Sequence, residues 1–403
     1  MGRSWAGLDI GKAYHHCVVI DGEGRRVLSR KVANDEAVLL GLIDEVSRTA
    51  EQDVVWAVDL VDAYAALATA LLLGRGQVVL YLPGRAVHTA TRMYRGEAKT
   101  DARDAAVIAD QARMRRDLQV LTPVDPVAVD LRVLTAHRLD LSADRTRSMN
   151  RLREQLMSYF PALERSFDCG SKGALRLLTG FRTPARIREI GESRLVSWLK
   201  VENVQGAAKV GATAFAAAQR QQSVLPAEMM ASEMVRRLAQ AILRIDQELA
   251  EIDLLIAGRL VQHREAAIVA SMSGIGPVLA AELVAATGGD ILGFGSPDRL
   301  AAAAGLAPVP RDSGRVSGNL HRPQRYSRRL MRVFFISAQI SIQFDPQSAQ
   351  YYQRKRAEGK RHNAAVLALA RRRVNVLWAC VRDGQLYDPD AARRSGDALI
   401  IAT

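Results

Sequence analysis

Ser4-Trp-Ala-Gly-Leu-Asp9-Ile-Gly11-Lys-Ala-Tyr-His-His-Cys-Val-Val-Ile-Asp21 decides the fold. It reads as two β-strands joined by a tight turn, with Asp9 at the end of the first strand and Gly11 permitting the bend after it. Working outward, Arg26–Ala33 reads as a third strand and Asp35–Arg48 as an amphipathic helix. Asp53-Val-Val-Trp-Ala-Val-Asp59-Leu reads as a fourth strand, apolar enough to be covered on both faces. A helix through Leu73 and a fifth strand, Gln77–Pro83, follow. Three leading strands and then alternating helices and strands predict a mixed sheet with helices on its faces. In such sheets ligands gather at the carboxyl ends of the strands, where Asp9 and Asp59 both stand.

Tyr94-Arg-Gly-Glu-Ala-Lys-Thr-Asp101-Ala-Arg-Asp104-Ala-Ala-Val-Ile-Ala-Asp110 opens a further helix. Aspartates three residues apart share one helical face, and like charges so placed repel unless a cation lies between them. A divalent metal is the usual resolution when the pair faces a strand end. The first domain therefore reads as a device for bringing Asp9, Asp101 and Asp104 together.

The charge distribution points to a polyanionic partner. The chain carries a formal net charge of +13 and a pI near 10.0. Residues 1–125 hold 16 Lys+Arg against 17 Asp+Glu, so the excess lies entirely in residues 126–403. A nearly neutral, acid-bearing front and a basic remainder suit a catalytic module joined to a nucleic-acid-binding one. Cys17, Cys169 and Cys380 are far apart and odd in number, which argues against a disulfide framework or a zinc site and for a reducing compartment. No signal peptide or membrane span is expected, since the first strand begins within a few residues and no apolar run reaches ~18 residues. The expected location is the cytoplasm.

From about Val127 the pattern changes to long helices. Leu131 to Met157 forms one amphipathic helix ending near Phe160-Pro161, and Met234 to Leu260 another. The two are expected to pair as an antiparallel coiled-coil arm around the Ala-rich helical segment 172–219. The predicted domains are thus 1–125, 126–262 and 263–403. In the last of these, Gly274-Ile-Gly276-Pro lies between two helices like the hairpin of a helix-hairpin-helix element, whose backbone N–H groups approach phosphates. A plain helix–helix turn explains it equally well. Between 311 and 332 seven arginines and His321 face a single acid, Asp312. Arg311, Arg315, Arg322, Arg325, Arg328 and Arg329 surround a Gly/Ser loop bearing Ser313 and Ser317. A hydroxyl inside an arginine cluster is a place to hold a phosphodiester beside a nucleophile. Further clusters stand at Arg354–Arg356, Lys360–His362 and Arg371–Arg373.

Together these motifs resemble the DEDD insertion-sequence transposases related to the Piv and MooV DNA invertases, the "IS one-ten" class. The resemblance spans nearly the whole chain, through Leu8-Asp9-Ile-Gly-Lys, Lys99-Thr-Asp101-Ala-Arg-Asp104-Ala, Gly274-Ile-Gly-Pro, Ala304-Gly-Leu-Ala-Pro and Asp312-Ser313-Gly314. It implies an α/β plus α architecture: an RNase H-like (RuvC-like) mixed-sheet domain, a helical coiled-coil arm and a mainly helical C-terminal domain. The family's four acids fall on Asp9, Asp59, Asp101 and Asp104, which would hold one or two Mg²⁺. The second is ordinarily Glu followed by Thr-Gly, whereas this chain has Asp59-Leu-Val-Asp62, leaving Asp59 and Asp62 as alternatives. The family's serine falls on Ser313, with Ser317 the competitor. The basic helix after it has Tyr326-Ser-Arg-Arg in place of a Lys-Arg-Gly turn. The resemblance also implies a covalent phosphoserine step, donor and target DNA, a structured guide RNA from the element, a homodimer or homotetramer, and a bacterial, nucleoid-associated setting. Two rivals share parts of the pattern: a hydrolytic RuvC-like junction nuclease, and an actin-like ATPase or sugar kinase. The latter requires a second Gly-rich phosphate hairpin that the sequence lacks.

Overall fold

Alternation along the first strand builds the sheet that carries the acids. In the computed structural model β1 (Arg3–Ile10) pairs antiparallel with β2 (Tyr14–Ile20), which pairs antiparallel with β3 (Arg26–Ala33). The structure describes residues 3–389, apart from 51–52, 62, 95–99, 122–124, 311, 315–316 and 322. After α1 (Glu36–Ala50), β4 (Asp53–Val58) returns parallel to β1. A 3-10 turn at Ala63–Ala65 leads into α2 (Ala66–Gly74). β5 (Val78–Tyr81) lies parallel to β4. The chain continues through α3 (Gly84–Thr91) and α4 (Asp101–Met114) to a two-residue edge strand, β6 (Gln119–Val120). The sheet order is β3-β2-β1-β4-β5-β6, a mixed sheet as expected. α3 and β6 were not anticipated. β6 is defined by pairing to Leu80 and Tyr81, which no local pattern announces.

The two faces of the sheet have separate cores. Leu8, Cys17, Val19, Trp56 and Val58 pack against Leu39, Leu42 and Ile43 of α1 and Leu72 of α2. On the opposite face Val18 and Ile20 meet Ala105 and Ala109 of α4, while Ala57 meets Val107 and Ile108. Because strand side chains alternate, Gly7, Asp9, His16, Ala57 and Asp59 all belong to the α4 face. Gly7 is required there: a Cβ would stand 2.2 Å from the Ala105 carbonyl oxygen and 2.5 Å from the Ala109 nitrogen. Backbone meets backbone at that point, so α4 lies as close to β1 as a helix can.

The chain divides into two compact units, Met1–Val124 and Asp125–Thr403. Among its described residues the second has helices and one small hairpin. Asp125 caps α5 (Pro126–Tyr159) by accepting from Val127 N at 2.7 Å, and Pro126 fits the first turn. Short α6 (Pro161–Ser166), α7 (Lys172–Gly180), α8 (Pro184–Ile190), α9 (Glu192–Val201) and α10 (Ala207–Gln219) lead to α11 (Glu228–Leu260). α11 starts six residues before Met234, where apolar spacing placed it, and Glu228 reaches back to Leu225 N at 3.4 Å at this helix start. α5 and α11 pair antiparallel, with Arg138 on Asp253, Arg145 on Asp246 and Arg259 on Asp130. Leu152, Leu156 and Tyr159 of α5 and Val235, Ala239 and Ile242 of α11 close one end around α6–α10.

At the other end Leu131 and Ile256 join a second core built by the remaining helices. These are α12 (Ala266–Ser271), α13 (Pro277–Thr287), α14 (Pro297–Ala303), α15 (Arg328–Phe344), α16 (Pro346–Ala357) and α17 (His362–Asp383). Pro277–Phe294 is apolar and long enough to cross a membrane by composition alone, but α13 is a core helix of this unit. A buried polar knot ties the unit together. Arg373 (3% exposed) donates to Ser337 Oγ at 2.9 Å and to the Ser273 carbonyl. Its guanidinium lies 3.9 Å from Asp345 (2% exposed), which accepts from Ser348 Oγ at 2.7 Å and from the Tyr387 hydroxyl at 2.8 Å.

Candidate active site

Asp9 and Asp59 close the α4 face of two adjacent parallel strands. Leu8 lies level with Val58, so the two aspartates occupy the next register positions side by side. Ile10 N donates to Asp59 Oδ1 at 3.3 Å, which draws the Asp59 carboxylate toward β1. Gly84, the first residue of α3, stands beside the same carboxylate, and a Cβ there would lie 3.9 Å from Oδ2. β4 itself ends at Val58, one residue short of Asp59.

α4 runs antiparallel to β1, so its first turn comes over these strand ends. Thr100 caps it, its hydroxyl accepting from Arg103 N at 3.3 Å. Asp101 lies one turn before Ala105, and Asp104 one turn before Val107 and Ile108, so both precede helix positions that pack on the sheet. Thr91 and Tyr94 are tied to α4 by Arg103 and Asp110. Arg103 donates to the Tyr94 carbonyl at 3.0 Å and to the Thr91 carbonyl at 3.3 Å. The Tyr94 hydroxyl donates to Asp110 at 2.6 Å. Burial pushes the Tyr94 hydroxyl up to about 12, and the Asp110 bond adds to it.

The electrostatics report how near the acids stand. Burial raises the Asp59 carboxyl above its ordinary range, and the Asp104 charge adds to that rise while the Ile10 N–H opposes it. His16, opposite Asp9 in the β1–β2 ladder, is drawn below its ordinary range by burial, with the Asp101 charge acting against the fall. Asp59 and Asp104 thus sense each other, and Asp101 senses the neighbour of Asp9. Among the described residues, no three His, Cys, Asp or Glu side chains form a ready-made metal cluster. The donor set nevertheless suits a hard divalent ion. All four candidates are carboxylates, and the upward shift of Asp59 is the kind of penalty a nearby cation would relieve. Asp62 lies outside the described residues.

Sequence reasoning missed His15. It is 1% exposed and accepts from Gly11 N through Nδ1 at 3.3 Å, so the neutral ring carries its proton on Nε2. That Nε2 faces the Asn34 amide without closing a hydrogen bond of normal geometry. Burial lowers the His15 pKa, with Asn34, Gly11 and the Asp59 charge opposing. The ring thereby fixes the turn directly after Asp9. A His two residues after a turn glycine's Lys-Ala pair was the available signal, but nothing local separates it from His16.

In the second unit Ser313 and Ser317 are exposed on a hairpin whose root is β7 (Val309–Pro310) paired with β8 (Leu320–His321). Asp312 braces the loop by accepting from Asn319 N at 3.0 Å. Arg325 and Arg328 are exposed, Arg329 is half-buried, and Arg332 pairs with the buried Glu282. Arg311, Arg315 and Arg322 lie outside the described residues. Gly274 takes φ +75°, and a Cβ on it would meet the Ser337 carbonyl oxygen at 2.7 Å, so close packing on α15 accounts for that glycine. Gly276 is unobstructed at the N-terminus of α13.

Acids at adjacent strand ends in the first unit, and a basic helical second unit with an exposed serine hairpin, suit a phosphoryl-transfer protein acting on a polyanion. The comparisons with known proteins narrow this. Residues 6–161 match the DEDD transposase model, and residues 266–353 match the transposase family IS116/IS110/IS902. The chain is 53% identical over 387 residues to the 42 kDa protein of insertion element IS900 from Mycobacterium paratuberculosis, covering 96% of this chain and 97% of that one. It is 49% identical over 388 residues to the 44.8 kDa protein of IS116 from Streptomyces clavuligerus, covering 96% of each. It is 35% identical to the 43.6 kDa protein of IS110 from Streptomyces coelicolor over 385 residues, covering 95% of each. The chain belongs to the IS110 family of insertion-element transposases and is a DNA transposase.

Proposed function

We propose that the transposase cuts and rejoins DNA through a covalent phosphoserine on Ser313, with Asp9, Asp59, Asp101 and Asp104 as the acidic centre. The observation that carries this reading is the placement of Asp9 and Asp59 just past the Leu8–Val58 pair, with Ile10 N donating to Asp59 and the Asp104 charge reaching it. The front unit is read as an RNase H-like, RuvC-like domain (1–125). The α5/α11 pair with its helical cap (126–262) is read as an arm, and 263–403 as the serine-bearing domain. Mg²⁺ held by the four carboxylates would supply Lewis-acid stabilisation of the oxygens entering and leaving phosphorus.

The remaining work falls to the chain. Asp59 is kept leaning on β1 by the Ile10 N–H, and His15 holds the β1–β2 turn so that Asp9 does not drift. In the second unit the Ser313 hydroxyl attacks a DNA phosphate. Its proton leaves to a carboxylate or water, the Oγ–P bond forms as the P–O bond to the departing strand breaks, and the strand's own hydroxyl later reverses the exchange. Arg325, Arg328 and Arg329 offset charge on the pentavalent phosphorus, with Arg311, Arg315 and Arg322 assigned the same work. Gly274 and Gly276 open a hairpin whose N–H groups would meet backbone phosphates. The excess of base over acid in residues 126–403 suits binding of donor and target duplex and of a structured guide RNA, chiefly through phosphates. A homodimer or homotetramer working in the bacterial cytoplasm, at the nucleoid, completes the reading.

The test is a denaturing gel of the full chain with labelled donor and target DNA, element RNA and Mg²⁺. Wild type is expected to yield a protein–DNA adduct that Ser313→Ala abolishes and Ser317→Ala retains. The reverse pattern moves the nucleophile to Ser317. Strand cleavage with no adduct in any variant replaces the phosphoserine step with hydrolysis.

A further inference from the structure

The root of the serine hairpin opens onto a cleft of which the strand-transfer reading uses Arg328 alone. Five residues after β8 the chain reaches Tyr326, which packs against Gly305: a Cβ on Gly305 would stand 2.5 Å from Tyr326 Cγ. Ser327 N donates to the Ala303 carbonyl at 2.7 Å, and Ser327 then caps α15. Tyr326 is therefore held in place before any ligand arrives. Beside it is an open cleft of about 460 Å³ between α15 and the start of α17. Tyr326, Phe335 and Leu367 give it apolar walls, while Arg328, Arg332 and Asn363 stand around it. Arg332 is fixed by its pair with Glu282, which is 1% exposed. Arg328 and Asn363 are exposed.

A solvated basic face has no need of an apolar hollow, and a purely apolar ligand has no need of two guanidinium groups. A nucleobase needs both: a flat ring that stacks on aromatic and aliphatic walls, an edge that an amide can read, and phosphates on either side of it. Ligand pockets of this size, ~300–1,000 Å³, accommodate such a group. We propose that the cleft takes a single base swung out of the DNA strand being processed, stacked among Tyr326, Phe335 and Leu367, with its edge at Asn363 and its flanking phosphates at Arg328 and Arg332. The proposal deepens the DNA-processing reading and rests on it for the identity of the polymer. A base held at the hairpin root would anchor the strand next to the loop that carries Ser313.

The test is an equilibrium measurement with the full chain and no metal, so its outcome is independent of whether Ser313 forms an adduct. The probes are a DNA duplex with one unpaired 2-aminopurine, the same duplex fully paired, and an RNA duplex with the same bulge. Wild type is expected to bind the bulged DNA about tenfold more tightly than the paired duplex, with a change in 2-aminopurine emission. Asn363→Trp, which fills the mouth from an exposed helix position, is expected to erase that preference and leave affinity for the paired duplex intact. The near-isosteric Asn363→Asp is expected to do the same, so misfolding of one variant does not decide the result. Arg328→Ala is expected to weaken both duplexes and lower the salt slope by about 1. Equal wild-type affinity for bulged and paired DNA overturns the proposal, as does a preference that survives both Asn363 substitutions. A preference confined to the RNA bulge overturns the assignment to DNA.

Discussion

Replacing Gly7 by alanine adds one methyl group at the point where α4 touches β1. That carbon would stand 2.2 Å from the Ala105 carbonyl oxygen and 2.5 Å from the Ala109 nitrogen. Both distances fall more than about 1 Å inside normal contact. Neither atom can swing aside, since both are helix backbone, so α4 as a whole must back away from the sheet by about 1 Å. Overpacking of this kind costs ~1–3 kcal/mol. For a unit of this size that corresponds to a fall in Tm of roughly 5–15 °C. The functional cost is larger, because the shift lifts Asp101 and Asp104 off the strand ends bearing Asp9 and Asp59. A misplacement of about 1 Å costs on the order of 10²-fold in rate. The assay is strand cleavage on a supercoiled donor plasmid beside a thermal melt, with DNA affinity measured in parallel and expected to hold. Gly41→Ala is the control: it lies in α1 with nothing within 4 Å of the new carbon, and is expected to raise Tm slightly. If Gly7→Ala melts no lower than Gly41→Ala and cleaves within twofold of wild type, α4 does not hold the acids as argued.

Asp104→Ala is expected to abolish strand exchange while DNA binding persists, measured by plasmid recombination and by gel shift. Loss of both together would place Asp104 in binding or folding instead. Asp59→Asn is expected to stabilise the metal-free chain at neutral pH. A carboxyl whose folded pKa is raised binds its proton more tightly folded than unfolded, so stability falls as pH climbs from its ordinary pKa through the folded one. The gain should therefore appear in melts at pH 7 and vanish below the ordinary carboxylate range, while cleavage is lost; an unchanged melt at pH 7 would contradict the buried setting of Asp59. Arg373→Met leaves Asp345 buried without its cation and is expected to cost ~3–5 kcal/mol in urea unfolding. A loss below about 1 kcal/mol would mean that Ser348 and Tyr387 satisfy Asp345 without it.

What could be read in advance followed from local periodicity. The hairpin around Gly11, the apolar β4, the paired helices α5 and α11, and the Asp101/Asp104 stripe each announce themselves within a few residues. β6 did not, because two residues become a strand only when an edge is there to receive them. α3 did not either: Gly84–Thr91 begins with Gly-Arg after a proline, and its helical state owes more to packing Val87 and Ala90 into the α4-side core. Around the proposed site, the carboxylates can be proposed from sequence, but the groups packed beside them cannot. His15 grips Gly11 from four residues away, and Arg103 holds two carbonyls nine and twelve residues back, relations visible only once the chain has folded. Gly274 illustrates the opposite limit. Its spacing suggested phosphate binding, yet the backbone of α15 lying against it already requires a glycine there.

The knot around Arg373 bears on biosynthesis. It draws together the Ser273 carbonyl, Ser337, Asp345 and the hydroxyl of Tyr387, residues spread over more than a hundred positions. A nascent chain lacking Tyr387 would hold a sequestered carboxylate with one donor too few. The C-terminal helices therefore reach their final packing only once Tyr387 has been made, and a product cut short within α17 carries the serine hairpin without the core that sets it.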